Sequence, residues 1–101
     1  MGTGTNSGKP AKWEQDVDNA RFTSTGRVRT FSVPGVGGAA VEATPDTATK
    51  TMRYTAYVWT PNAPARPING GQTFASRDEA NAAAKKVLKN RRRVQLKFGE
   101  G

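Results

Sequence analysis

The feature that most constrains the fold is a capped, alanine-rich helix signature, "SRDEANAAAKKVLKN", at residues 76–90. Ser76 is followed three residues later by Glu79, which is the spacing of a capping box at a helix start. One apolar stripe with helical spacing then follows: Ala80, Ala83, Ala84, Val87 and Leu88. Because most of these side chains are small, the pattern predicts a helix over about 77–90 that packs closely against a sheet.

Strands that could form this sheet are predicted from alternation of apolar and polar residues. The strongest candidate spans residues 50–60. Its predicted core side is Met52, Tyr54, Ala56 and Val58, and its other side is Arg53, Thr55, Tyr57 and Trp59. Weaker strands are predicted at about 20–24, 27–33 and 39–44.

Two segments between these strands carry loop signals. "PGVGG" at residues 34–38 predicts a flexible turn, and "PNAPARPINGG" at residues 61–71 predicts a proline-rich loop. Neither segment shows a helical or strand period.

The end of the chain changes its period. Val94, Leu96 and Phe98 alternate with polar residues, which favours a final strand over 93–98. Continuation of the helix stays open, since Arg, Gln, Leu and Lys are good helix formers. The predicted fold class is α+β: a small antiparallel sheet of three to five strands packed against one helix.

The length of 101 residues allows one small domain, predicted at residues 13–99 after a disordered tail at 1–12. Glu14, Asp16 and Asp18 follow Trp13 at alternate positions. They lack the glycine and closing glutamate of a calcium loop, so we interpret them as a solvated acidic flank.

Composition excludes several kinds of chemistry. The chain has no cysteine and no histidine, so disulfides, Cys/His zinc sites and a histidine general base are absent. No phosphate-binding glycine loop or pair of carboxylates in an apolar setting is present. We therefore expect a protein that is not an enzyme and needs no cofactor or metal. No apolar run suits a membrane span, and a cytoplasmic or nucleoid-associated location is expected.

The charge balance points to binding of polyanions. Sixteen Lys and Arg stand against eight Asp and Glu, a net charge of +8, which favours nucleic acid, DNA over RNA, or an acidic protein face. The densest positive segment contains three consecutive arginines. The predicted phosphate contacts are Lys85, Lys86, Lys89, Arg91, Arg92 and Arg93. A merely solvated basic face is the alternative.

The segment "MRYTAYVWTP" followed by "GGQTFASRDEANAAAKKVL" resembles the three-stranded sheet and helix of plant ethylene-response DNA-binding domains. It is also similar to the arm-binding domains of tyrosine recombinases. The likeness covers about residues 50–90. It implies a sheet that lies in the DNA major groove. The contacting residues that it implies are Arg53, Tyr57 and Trp59, with Arg27 and Arg29 from an earlier strand.

A second function class stays open beside nucleic-acid binding. The chain could be a protein-interaction module, such as a phage-encoded modulator of a host protein or a small virion or assembly component. Trp59, Tyr57 and Phe98 would then be anchors in a partner's pocket. A homo-oligomer formed through a sheet edge is also possible.

Overall fold

The computed structural model describes the backbone of residues 11–99 and the side chains of residues 11–97. Helix α1 is Lys12–Asn19. Five strands follow: β1 Thr23–Thr25, β2 Val28–Val33, β3 Gly37–Asp46, β4 Thr51–Thr60 and β5 Ala63–Pro67. A 3-10 turn at Ile68–Gly71 leads to helix α2, Arg77–Val94, and a single π-helical turn at Gln95–Gly99 ends the described chain. The predicted α+β class is confirmed.

The five strands form one antiparallel sheet in the order β1-β2-β3-β4-β5. Phe31 pairs with Ala39, and Ala39 pairs in turn with Val58, so these three side chains share one face. The buried core cluster takes from the strands only residues that share this face. It adds Val17, Val36, Ile68 and, from the α2 stripe, Ala80, Ala84 and Leu88. Both helices therefore lie on the same side of the sheet, which we call the helix face.

The helix start and the best strand follow their predictions. The Ser76 hydroxyl accepts a hydrogen bond of 3.1 Å from the backbone N–H of Glu79. Ala80, Ala84 and Leu88 are fully buried. In β4 the predicted core parity is confirmed for Ala56 and Val58, whereas Met52 near the β3–β4 turn is exposed.

The predicted strand over 93–98 is wrong, because α2 continues to Val94 and the chain stays helical to Gly99. Arg91 and Gln95, one turn apart, both reach β4, which extends the helix over the sheet. Val94 and Leu96 remain exposed, so their alternation does not reflect burial. Strong helix formers and this packing outweigh the two-residue period.

Three other predictions need correction. The acidic flank is helix α1, which includes Lys12 from the predicted tail and has Ala11 as its N-cap residue. Residues 1–10 of the predicted tail lie outside the described residues. The proline-rich loop contains edge strand β5, where Pro64 and Pro67 are tolerated because one side of the strand is unpaired. The predicted flexible turn at residues 34–38 is shorter than expected, because Gly37 and Gly38 begin β3 and are buried.

Candidate nucleic-acid interface

Three of the predicted phosphate-contacting residues form contacts between α1 and α2. Lys85 donates hydrogen bonds of 2.9 Å to the backbone carbonyls of Asp18 and Ala20. Lys89 forms an ion pair with the Asp18 carboxylate at 2.7 Å. Arg93 forms an ion pair with Glu14. These three cations lie at positions i, i+4 and i+8 on one side of α2, and each contributes to the packing of α1 against α2.

The arginine run does not form one patch. A helix turns about 100° per residue, so three consecutive side chains point in three directions. Arg91 turns toward the sheet and donates to the Val58 carbonyl at 3.4 Å, while Arg93 turns toward α1, with its guanidinium 5.9 Å from the Trp13 ring centre. The Nε of Arg92 is buried and has no hydrogen-bond partner within the described residues. Of the six predicted helix contacts, Lys86 is the one that is exposed and unpaired in this part of the chain.

Electrostatics at the helix pair agree with a structural role. The backbone N–H of Ala11 and then the Arg93 guanidinium lower the pKa of Glu14 by bonding its carboxylate. Burial lowers the pKa of Lys85, whose ammonium lies 5.7 Å from the Phe31 ring centre and 5.9 Å from that of Phe22. Lys85 is thus a partly desolvated cation that is held by carbonyls and aromatic faces.

The opposite side of the sheet carries no helix or strand within the described residues, and we call it the open face. Cross-strand pairing assigns its members, since directly opposite residues share a face. They are Thr23, Thr25, Val28, Thr30, Ser32, Gly38, Ala40, Glu42, Thr44, Asp46, Thr51, Arg53, Thr55, Tyr57, Trp59 and Pro67. Hydroxyl groups and two aromatic rings dominate this set, and β3 contributes two carboxylates, Glu42 and Asp46.

The indole of Trp59 packs against the β3 backbone on the open face. Trp59 pairs with Gly38 on β3, and a Cβ built on that glycine would lie 2.4 Å from Cζ2 and 2.7 Å from Cε2 of the indole. The ring therefore lies over the bare glycine backbone. Trp59 is half-buried, so part of the indole remains accessible from solvent. No local sequence pattern indicates the role of Gly38, because its pairing with Trp59 depends on the strand register.

Tyr57 lies two residues before Trp59 on the same face. Its hydroxyl donates to Oε1 of Glu42 on the neighbouring strand at 3.4 Å. Burial and the Glu42 charge together raise the pKa of the Tyr57 phenol. The phenol therefore stays neutral at physiological pH. One carboxylate oxygen of Glu42 already accepts a hydrogen bond within the protein.

Arg53 lies at the other end of the open face, in a pocket of about 410 Å³. Its Nε donates to the Thr73 hydroxyl at 3.0 Å, and its Nη2 to the Thr73 carbonyl at 3.4 Å. Thr73 is placed there because the adjacent Phe74 forms a two-bond backbone bridge with Tyr54. This contact joins residues 20 positions apart, and no local sequence pattern announces it.

The predicted sheet-face set is only partly brought together. Arg53, Tyr57 and Trp59 share the open face. Arg29 pairs with Val41 and belongs to the helix face, while Arg27 lies in the β1–β2 turn, where its carbonyl accepts from the Ala43 N–H at 2.9 Å. A ligand on the open face would therefore meet the three β4 residues and the hydroxyl rows.

Comparison with protein-family models, with curated proteins and with solved structures found no match to this chain. Within residues 11–99, no helix has the length and apolar character needed to cross a membrane, and no group of acidic side chains is placed to hold a metal ion. Functional inference therefore rests on the geometry of the two faces.

Proposed function

We propose that this protein binds nucleic acid, with DNA as the leading candidate, through the open face of its sheet. The observation that carries the proposal is the placement of Arg53, Tyr57 and Trp59 on one uncovered sheet face. These are also the β4 residues that the resemblance to sheet-type DNA-binding domains implies.

The chemistry of this face suits a polyanion that carries flat bases. Aromatic rings offer stacking surfaces that every base can use. Arginine and threonine donate hydrogen bonds to phosphate oxygens, which position a nucleic acid without reading its sequence. Of the two β3 carboxylates on this face, Glu42 accepts a hydrogen bond from the Tyr57 hydroxyl, and Asp46 accepts from backbone N–H groups of the β3–β4 turn. The net charge of +8 supplies long-range attraction.

A salt titration of binding to duplex DNA, single-stranded DNA and RNA tests the proposal. Trp59→Ala should weaken binding by roughly 5- to 150-fold, since stacking contributes about 1–3 kcal/mol per base. The matched comparison is a variant with Arg91, Arg92 and Arg93 all changed to Ala, which removes charge from the helix instead. Thermal unfolding of both variants checks that the fold persists.

Two results would overturn the proposed surface or the function. Retained affinity in Trp59→Ala with lost affinity in the triple arginine variant would move the interface to the helix. Absence of binding to all three nucleic acids at low salt would reject the function itself.

A protein-binding role is the second candidate, and one observation favours it. Val94 and Leu96 leave 56% and 50% of their surfaces exposed at the end of α2. Exposed apolar side chains of this size are suited to a partner's pocket. A partner that remains bound after nuclease treatment and is lost in Val94→Asp would support this candidate.

A further inference from the structure

The pocket around Arg53 is built mainly from polar side chains of β3 and β4, of the turn between them and of the segment before α2. It is lined by Thr44, Pro45, Asp46, Thr47, Arg53, Thr55 and Thr73. Thr44 is the direct cross-strand neighbour of Arg53, and Thr55 follows two residues later on the same face. One guanidinium and four threonines thus border a single cavity on the open face.

Arg53 is held in place and still has hydrogen-bonding capacity. A guanidinium carries five N–H donors. Thr73 accepts from Nε and from Nη2 of Arg53, and no other acceptor contacts the group within the described residues. Three donors, the two on Nη1 and one on Nη2, are therefore available to a ligand from a side chain whose orientation is already fixed.

The charge of Arg53 is not neutralised by a carboxylate. No ion pair joins it to an acid within the part of the chain that is described, although it is half-buried. The nearest candidate by position is Asp46. Its Oδ1 instead accepts from the backbone N–H of Ala48 at 2.9 Å and of Thr49 at 3.4 Å, which closes the β3–β4 turn. A half-buried cation without an acid partner favours an anionic ligand.

We propose that this pocket is a phosphate-binding subsite, which holds one backbone phosphate of a nucleic acid lying on the open face. Arg53 would donate its free fork edge to two phosphate oxygens, and threonine hydroxyls would donate to the remaining oxygens. This assignment rests on the proposed function for the identity of the ligand, but its chemistry can be measured with inorganic phosphate alone.

The first experiment titrates the ¹⁵N-labelled protein with inorganic phosphate against sodium chloride of equal ionic strength. Amide shifts at Thr44, Thr55 and Thr73 should respond to phosphate and not to chloride. Arg53→Gln should abolish the response. Arg66→Gln removes the same charge from edge strand β5. Because Arg66 pairs with Val58, which belongs to the helix face, this variant should leave the phosphate response intact.

The second experiment measures how DNA affinity falls with salt for the same variants. Loss of one phosphate contact should make the slope of log affinity against log salt shallower by about 0.9 for duplex DNA or 0.7 for a single strand. Arg53→Gln should show this change, and Arg66→Gln should not. Arg53→Lys keeps the charge without the planar fork, so it should weaken binding while preserving the slope. Arg53→Lys also tests the site if Arg53→Gln fails to fold.

The outcomes separate the subsite from the proposed function. If Arg53→Gln binds DNA with unchanged affinity and slope, or keeps the phosphate response, the subsite is rejected while nucleic-acid binding stands. If the wild-type protein shows the phosphate response but binds no nucleic acid, the subsite stands and the proposed function is rejected.

Discussion

The packing of the Trp59 indole on Gly38 can be tested directly by adding a side chain at the glycine. The change is Gly38→Ala. The added Cβ would lie 2.4 Å from Cζ2 of Trp59 and 2.5 Å from the carbonyl oxygen of Phe31. Carbon atoms in favourable contact are about 3.5–4.0 Å apart, so the indole must move by about 1 Å or more. The Phe31 carbonyl belongs to the paired β2 backbone and can give way less easily.

Overpacking of this kind costs about 1–3 kcal/mol in the free energy of unfolding. For a domain of this size, each kcal/mol lowers Tm by about 4–8 °C. A cost of about 2 kcal/mol, the middle of the range for overpacking, should therefore lower the Tm of Gly38→Ala by roughly 8–16 °C. Thermal unfolding followed by circular dichroism measures the change. Fluorescence in a Trp13→Phe background reports the environment of Trp59 alone, since the chain has two tryptophans.

A double-mutant cycle separates the indole from the carbonyl. In a Trp59→Ala background the cost of Gly38→Ala should fall by about 0.5 kcal/mol or more, because one of the two clashes is gone. An unchanged Tm for Gly38→Ala would refute the close seating of the ring. An equal cost in both backgrounds would assign the clash to Phe31 instead.

The core and the α1 contact provide two further predictions. Leu88→Ala should reduce the free energy of unfolding by about 2–5 kcal/mol, as measured by urea denaturation, whereas Leu96→Ala at a half-exposed position should change it by about 0.5 kcal/mol or less. Because the pKa of Glu14 is lowered in the folded state, its contribution to stability is present above the unfolded value of 4.5 and is lost as pH falls through the folded pKa. Glu14→Gln should therefore reduce the loss of Tm as pH falls through this acid range. Arg93→Gln should reduce it only in part, because the Ala11 N–H still bonds the carboxylate. If Tm of Glu14→Gln depended on pH as it does in the wild type, this reasoning would be refuted.

Local chemistry predicted those elements whose sequence signal is contained within a few consecutive residues. The Ser76–Glu79 cap and the alternation along β4 are visible within a few residues, and both are confirmed. Helix α1 gave no comparable signal because it buries one side chain completely, Val17. Its polar contacts with α2 are made by Lys85, Lys89 and Arg93, which lie more than 60 positions along the chain.

The candidate site shows the same division. Sequence alternation placed Arg53, Tyr57 and Trp59 on one side of a strand, and the structure agrees. Pairing register decided the rest: it put Gly38 beneath the indole and Arg29 on the helix face. A register one residue different would exchange the two faces of a strand, so these placements could not follow from single-strand patterns.

The distribution of charge decides which basic surface is presented to a ligand. Residues 12–19 carry one lysine and three acids, while residues 77–99 carry eight cations and two acids. The ion pairs between α1 and α2 are partly exposed, and such pairs contribute only about 0–1 kcal/mol each. Ion pairing alone would let a polyanion displace α1 from α2.

Apolar packing is what opposes that displacement. Val17 is fully buried, and Trp13 packs against the core. Burial of a side chain like that of Val17 contributes about 1.5–3 kcal/mol, more than any one of these ion pairs. Phosphate at Lys89 or Arg93 must therefore compete with anions that apolar packing keeps in place. On the open face, no carboxylate forms an ion pair with Arg53 within the described residues. We therefore expect a polyanion to meet less competition at Arg53 than at Lys89 or Arg93.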